Sequence, residues 1–141
     1  MIDPSPPRPL VEAPLLRRNL GTQETDFRVS ECEEPGAIGG DVRKIAPLHL
    51  HRSEDEAWYV LEGKLRFRFG PEEFDAPAGS GVLLPHGTAH TFWNPSSEPV
   101  RYLMIARPKT VALLEAIHGP GAERPASLKE LFDRYDVELL E

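Results

Sequence analysis

Between Thr25 and Ala106 the apolar residues come in short runs, most of them alternating with polar positions and each closed by a turn former. "AWYVLE" stops at Gly63, and "KLRFRF" sets Leu65, Phe67 and Phe69 against Lys64, Arg66 and Arg68 before Gly70-Pro71. "EEFDA" ends at Pro77, "GVLL" at Pro85, "HTFW" at Asn94-Pro95, and "VRYLMIA" just ahead of Pro108. Successive strand residues point to opposite faces, so period-two runs with turn chemistry between them predict an antiparallel sandwich or barrel. After Pro108 the period lengthens. "TVALLEAIHG" has a helical apolar pattern with a glycine stop at Gly119. "SLKELFDRYDVELL" opens with Ser127 and Glu130 at capping-box spacing, and Leu128, Leu131, Phe132 and Tyr135 recur at helical intervals. The pattern predicts two short helices covering one end of the barrel. The stretch through Pro14 is punctuated by prolines and reads as an extended arm that orders only by packing on something. The expected organisation is therefore an arm over 1–20, a barrel over 21–108 and a C-terminal helical segment over 109–141.

Composition narrows this picture only slightly. A chain of 141 residues, 40% hydrophobic and 28% charged, is expected to form one domain with a real core. A net charge of −7 argues against nucleic acid or an anionic membrane as a partner. Cys32 is the single cysteine, which excludes an intrachain disulfide, and Glu31, Glu33 and Glu34 beside it disfavour the thiolate a nucleophile needs. The first residues carry no basic segment followed by an apolar one, and no apolar run reaches membrane-spanning length, so the expectation is a cytoplasmic protein.

The chemistry concentrates in "PLHLHRSEDEAWYVLEGK", residues 47–64. On a strand His49 and His51 project side by side, and "RSED" is long enough to turn the chain and bring Glu56 to the same cavity. Imidazole nitrogens with a nearby carboxylate suit first-row transition metals. A histidine pair on a wet strand beside a solvated acidic turn accounts for this segment equally well.

A second stretch, "GSGVLLPHGTAHTFWN" over 79–94, adds Gly79, Pro85, Gly87, His90 and Asn94 at fixed intervals. With His49, His51, Glu56 and Gly63 before it, the pair resembles the two signature motifs of the cupin family, over residues 49–94. The fifteen residues between Gly63 and Gly79 match the compact spacing of small microbial cupins. One position departs: Arg43 stands where the first motif usually has glycine, with Gly39 and Gly40 just upstream. The resemblance implies an all-β fold, a double-stranded β-helix or jelly-roll barrel. It also implies one divalent transition metal (Fe, Mn, Ni, Zn or Cu) held by His49, His51, Glu56 and His90. Homodimers are common in the family, and a barrel of this size has sheet edges to cover.

Residue by residue, Gly63, Gly79 and Gly87 fall at strand ends, where positive φ is cheap only for glycine. Trp58 and Val60 share a face with Glu56, and Phe92 and Asn94 share one with His90, which makes Trp58, Val60 and Phe92 the expected apolar wall of a substrate pocket. Core packing alone also explains those three. His86 reads as a rim residue and His118 as a helix-terminal one, while Arg66, Arg68 and Arg101 read as a solvated outer face. The ligand set implied by the resemblance leaves coordination positions open, which marks a catalytic site. The leading expectation is an oxidoreductase of the dioxygenase type, acting on a small organic substrate with Glu56 as ligand or base. A non-redox isomerase, epimerase or cyclase is the alternative among enzymes, and a ligand-binding or sensory protein is the alternative outside them.

Overall fold

The computed structural model describes residues 8–37, 39, 42–119 and 127–141. Ten strands and two helices follow in chain order. They are β1 (Asn19–Leu20), β2 (Arg28–Glu34), β3 (Lys44–His51), β4 (Glu56–Glu62), β5 (Lys64–Phe69), β6 (Glu72–Pro77), β7 (Gly81–Leu84), β8 (His90–Trp93), β9 (Val100–Ala106), α1 (Pro108–His118), α2 (Leu128–Arg134) and β10 (Val137–Leu139). One antiparallel sheet has the order β1-β2-β9-β4-β7 and the other β10-β3-β8-β5-β6. The two sheets form the antiparallel barrel expected of the alternating pattern, in the double-stranded β-helix form that the family resemblance implied.

Alternation decides which face turns inward. On β4, Glu56, Trp58 and Val60 are buried, and on β5, Leu65 and Phe67 are fully buried. The outward arginines find surface acids: Arg66 pairs with Asp75, and Arg101 with Glu31 and Glu62. Trp58, Phe67, Phe92 and Tyr102 pack edge to face or stacked with ring centroids 5.2 to 6.1 Å apart. Each such side chain contributes roughly 1.5–3 kcal/mol by burial, and together they form a wall that holds the metal-motif strands in register. Thr91, on the face opposite His90, is buried as well, because its hydroxyl donates to the Ala46 carbonyl on β3.

The strand-end glycines adopt the backbone they were expected to supply. Gly63 has φ 76°, and a Cβ there would lie 2.6 Å from the Pro99 carbonyl oxygen. Gly87, at φ 88°, lets the chain reverse just before His90.

Three features differ from the expectations. The second helix is shorter than its pattern suggested: Ser127 caps it by accepting from the Glu130 amide, but it ends at Arg134. Asp136 then takes a positive φ of 66°, and Val137–Leu139 returns as β10 to pair with Leu50 and its neighbours on β3. Gly119 ends α1 with φ −74°, so it stops the helix in extended geometry rather than a left-handed cap. Of the arm, residues 8–15 have no helix or strand, Leu16 bridges to Glu31, and β1 joins β2, while 1–7 lie outside the described residues. Gly40, one of the two glycines upstream of Arg43, also lies outside them. No helix among the described residues is long and apolar enough to cross a membrane.

Candidate metal centre

The inward face of β3 presents His49 and His51, the start of β4 presents Glu56, and the start of β8 presents His90. All four side chains are buried, and each offers a ligand atom within 4.8 Å of the others. Pairing of His49 with His90 across β3 and β8 brings the two motifs together. The turn from His51 to Glu56 does the rest. His49 Nε2 lies 3.2 Å from His51 Nε2, and Glu56 Oε1 lies 2.5 Å from His51 Nε2 and 3.1 Å from His90 Nε2.

The outer nitrogens fix the direction of the inner ones. His49 Nδ1–H donates to the Pro47 carbonyl at 2.6 Å, and His90 Nδ1–H donates to the Thr88 carbonyl at 3.0 Å. A carbonyl only accepts, so both protons sit on Nδ1 and each Nε2 turns a lone pair into the cluster. His51 follows the same logic through a hydroxyl. Thr110 Oγ1 gives its proton to Glu54 Oε1 at 2.9 Å, which leaves its oxygen to accept from His51 Nδ1–H at 3.1 Å. Three lone pairs and a carboxylate oxygen thus converge in a buried space. Contacts this short need an added proton or a cation among them, and the donor set fits a divalent transition metal.

The electrostatics agree. Desolvation, reinforced by His90 nearby, pushes His49 down to about 4, so its ring stays neutral at ordinary pH, the form a metal ligand needs. Burial opposes ionisation of Glu56, yet the short contacts to His51 and His90, together with the proton or cation they require, outweigh it and hold the carboxyl well below its usual range.

Glu54, buried between the two ligand strands, gives sequence reading no motif to find. Its carboxylate accepts from Lys109 N at 3.0 Å and from Thr110 N at 2.7 Å, capping α1, whose N-cap Arg107 offers no side-chain cap. Through Thr110 the same carboxylate holds His51, so one residue ties α1 to the donor cluster.

Of the cluster, His49, His51 and Glu56 line a cavity of about 590 Å³. Trp58 and Phe92 line it with Met104, Leu113 and Phe132, while Val60 is fully buried in the core and is not part of that lining. His86 stands apart from the cluster, half-exposed and paired with Asp55 at 2.7 Å. His118, at the end of α1, reaches the cavity wall without joining the donors. Asn94 shapes the following turn, donating to the Glu98 carbonyl at 2.8 Å and accepting from Ser96 N at 3.0 Å.

Known proteins agree with this picture. The Cupin domain profile matches residues 40–106. A cupin protein from Bacteroides fragilis has the same fold, at 17% identity and a TM-score of 0.57, covering 88% of this chain and 93% of that one. A sugar phosphate isomerase of the cupin superfamily from Silicibacter pomeroyi is similar at 28% identity and a TM-score of 0.50, over 59% of this chain and 51% of that one. Among curated sequences, an uncharacterized protein of Methanocaldococcus jannaschii is 30% identical over 61 residues, which are 43% of this chain and 49% of that protein. A mannose-1-phosphate guanylyltransferase of Salmonella muenchen is 32% identical over 72 residues, 51% of this chain and 14% of the enzyme. The match therefore spans half or less of these curated relatives' own lengths. Motif spacing, barrel topology and the domain match converge on one conclusion: residues 40–106 of this chain form a cupin domain.

Proposed function

We propose that this chain is a mononuclear metal-dependent enzyme of the oxygenase type, with His49, His51, Glu56 and His90 as ligands and a small organic substrate in the barrel cavity. The observation that carries the reading is the convergence of three imidazole lone pairs and a carboxylate, with His49, His51 and Glu56 in the wall of that cavity. About 590 Å³ is the size of a small-molecule site, and the lining is chiefly apolar and aromatic. A bound divalent transition metal would supply Lewis acidity, and for iron, manganese, nickel or copper a redox couple, at the positions the four donors leave open.

The chain's own residues do the remainder. Pro47, Thr88 and Thr110 hold the three rings so that little reorganisation is needed on binding. Trp58, Phe92, Met104 and Phe132 exclude water and strengthen every polar interaction inside. Glu56 keeps its charge at the cavity wall, which suits a metal ligand, and would accept a substrate proton only on leaving the cluster.

A second reading, non-redox isomerisation, is favoured by the likeness to the sugar phosphate isomerase. Against it, the cavity lining offers Arg28 and no lysine, a thin provision for a phosphoryl group. Oxygen uptake by iron- or manganese-loaded protein with enediol, flavonol and diketone substrates separates the two. Substrate-dependent oxygen consumption supports the oxygenase reading. Turnover that proceeds without oxygen and with zinc in the site would replace it with the isomerase.

A further inference from the structure

The cavity has a second chemical feature, away from the metal donors. Arg28, Ser30, Cys32 and Glu34 come from alternate positions of β2, and all four line the cavity. Arg28 is 7% exposed, and its Nε–H meets no hydrogen-bond partner among the described residues. Its ionic contact among the described residues is loose: NH1 stands 3.5 Å from Glu115 Oε1 on α1. That carboxylate is half-exposed and also accepts from Gln23 Nε2 at 2.6 Å through its other oxygen. Desolvation lowers the Arg28 pKa despite the Glu115 charge, which is the mark of a cation short of compensation. The indole Nε1–H of Trp58 is likewise buried without a partner among the described residues, and Trp58 lines the same cavity. An unmet buried donor costs about 1–3 kcal/mol, more when charged. Two of them on one cavity call for an acceptor inside it.

Sheet register locates this pair relative to the metal donors. Arg28 pairs with Ala106, and Ala57 pairs with Ile105, so Arg28 and Glu56 flank β9 at nearly one level. Two strand spacings separate their backbones by about 10 Å. The residue between them is the small, buried Ala106. Met104, one row along, pairs with Ser30 on one side and Trp58 on the other.

We propose that Arg28 anchors a carboxylate on the cavity's occupant, with Nε–H and a terminal N–H gripping its two oxygens while the molecule reaches across Ala106 toward the donor cluster. The inference rests on reading that cluster as the metal centre of the site. A carboxylate suits the planar guanidinium edge and carries one charge. A phosphoryl dianion would meet a single guanidinium on a wall that also bears Glu34 and Glu115. The substrate class is then a small organic acid with an apolar body.

Calorimetric titration of benzoate and phenylpyruvate against benzamide and phenyl phosphate, in metal-loaded and metal-stripped protein, tests this. At least one acid should bind ten-fold or more tightly than benzamide or phenyl phosphate in both forms, and Arg28→Gln should erase the preference without changing metal stoichiometry. Glu115→Gln, at a half-exposed position that tolerates change, should tighten acid binding several-fold by freeing the guanidinium. It reports on the anchor even if Arg28→Gln folds poorly. An acid preference that survives Arg28→Gln places the carboxylate elsewhere and overturns the inference. So does tighter binding of phenyl phosphate, the lack of any preference for an acid, or Glu115→Gln without effect. Arg28-dependent acid binding in a protein that takes up no metal would uphold the anchor while refuting the metal centre.

Discussion

Replacing Thr110 with valine isolates the tie between α1 and the donor cluster. The side chain is 2% exposed, and valine keeps its shape while removing the oxygen. Glu54 retains the Lys109 and Thr110 amides at 3.0 and 2.7 Å, so the start of α1 stays capped and the barrel should fold. His51 Nδ1–H, however, loses its acceptor in a buried site, which costs roughly 1–3 kcal/mol of stability. The ring is also no longer held with its Nε2 lone pair inward. Loss of such an outer partner typically weakens metal binding about 10- to 100-fold. Competition titration with a chelating dye gives the affinity, and urea unfolding of stripped protein gives the stability. Thr110→Ser, which keeps the hydroxyl, should bind metal nearly as the native chain does. A Thr110→Val protein that loses stability yet binds metal within about two-fold of native would reduce Thr110 to a helix residue and refute the coupling.

The remaining predictions concern the ligands, pH and assembly. His49→Ala, His51→Ala and His90→Ala should each abolish stoichiometric metal uptake while far-ultraviolet dichroism stays that of a β-barrel, and Glu56→Gln, which keeps an oxygen donor, should weaken uptake less; a full metal load in His51→Ala would contradict the assignment. Stripped protein should lose stability on acidification. The unfolded chain protonates His49 near 6.5 and the folded chain only near 4, so between those values the unfolded state binds the extra proton and folding is penalised, by at most about 3 kcal/mol once pH falls below 4. Glu56, held low in the fold, works in the same direction as pH falls further; urea midpoints that do not change from pH 7 to pH 4.5 would contradict the His49 effect, and midpoints flat from pH 4 to pH 3 the Glu56 one. Exposed edge strands such as β7, where Leu83 is 62% exposed, predict a homodimer, and light scattering that returns 15.8 kDa at micromolar concentration would exclude it.

Much of this architecture is readable in the sequence because its signals are local. Alternation on "KLRFRF" and glycine at positions 63 and 87 each determine structure within a few residues. The spacing of His49, His51, Glu56 and His90 carried the donor cluster through its family resemblance, and the structure brings those four together. What escaped reading depends on distant partners. The β10 segment is three residues with the apolar content of a helix end, and only pairing with β3, nearly ninety residues earlier, makes it a strand. Val60 shares the Glu56 face, but whether that face meets cavity or core at its level is decided by the opposite sheet. Glu54 looks like one acid in a solvated turn until α1 arrives to present its amides. Arg28 draws no reading at all, since nothing nearby reveals that its face closes over the cavity.

The central claim is that three imidazoles and one carboxylate of this chain hold a single metal ion. X-ray absorption at the metal edge, on protein loaded to equilibrium and freed of adventitious ions, tests it most directly. The account predicts one ion per chain with about three imidazole nitrogens and at least one oxygen at roughly 2.0–2.2 Å. Sub-stoichiometric metal, or a shell of water and carboxylate oxygen without imidazole scattering, would contradict it.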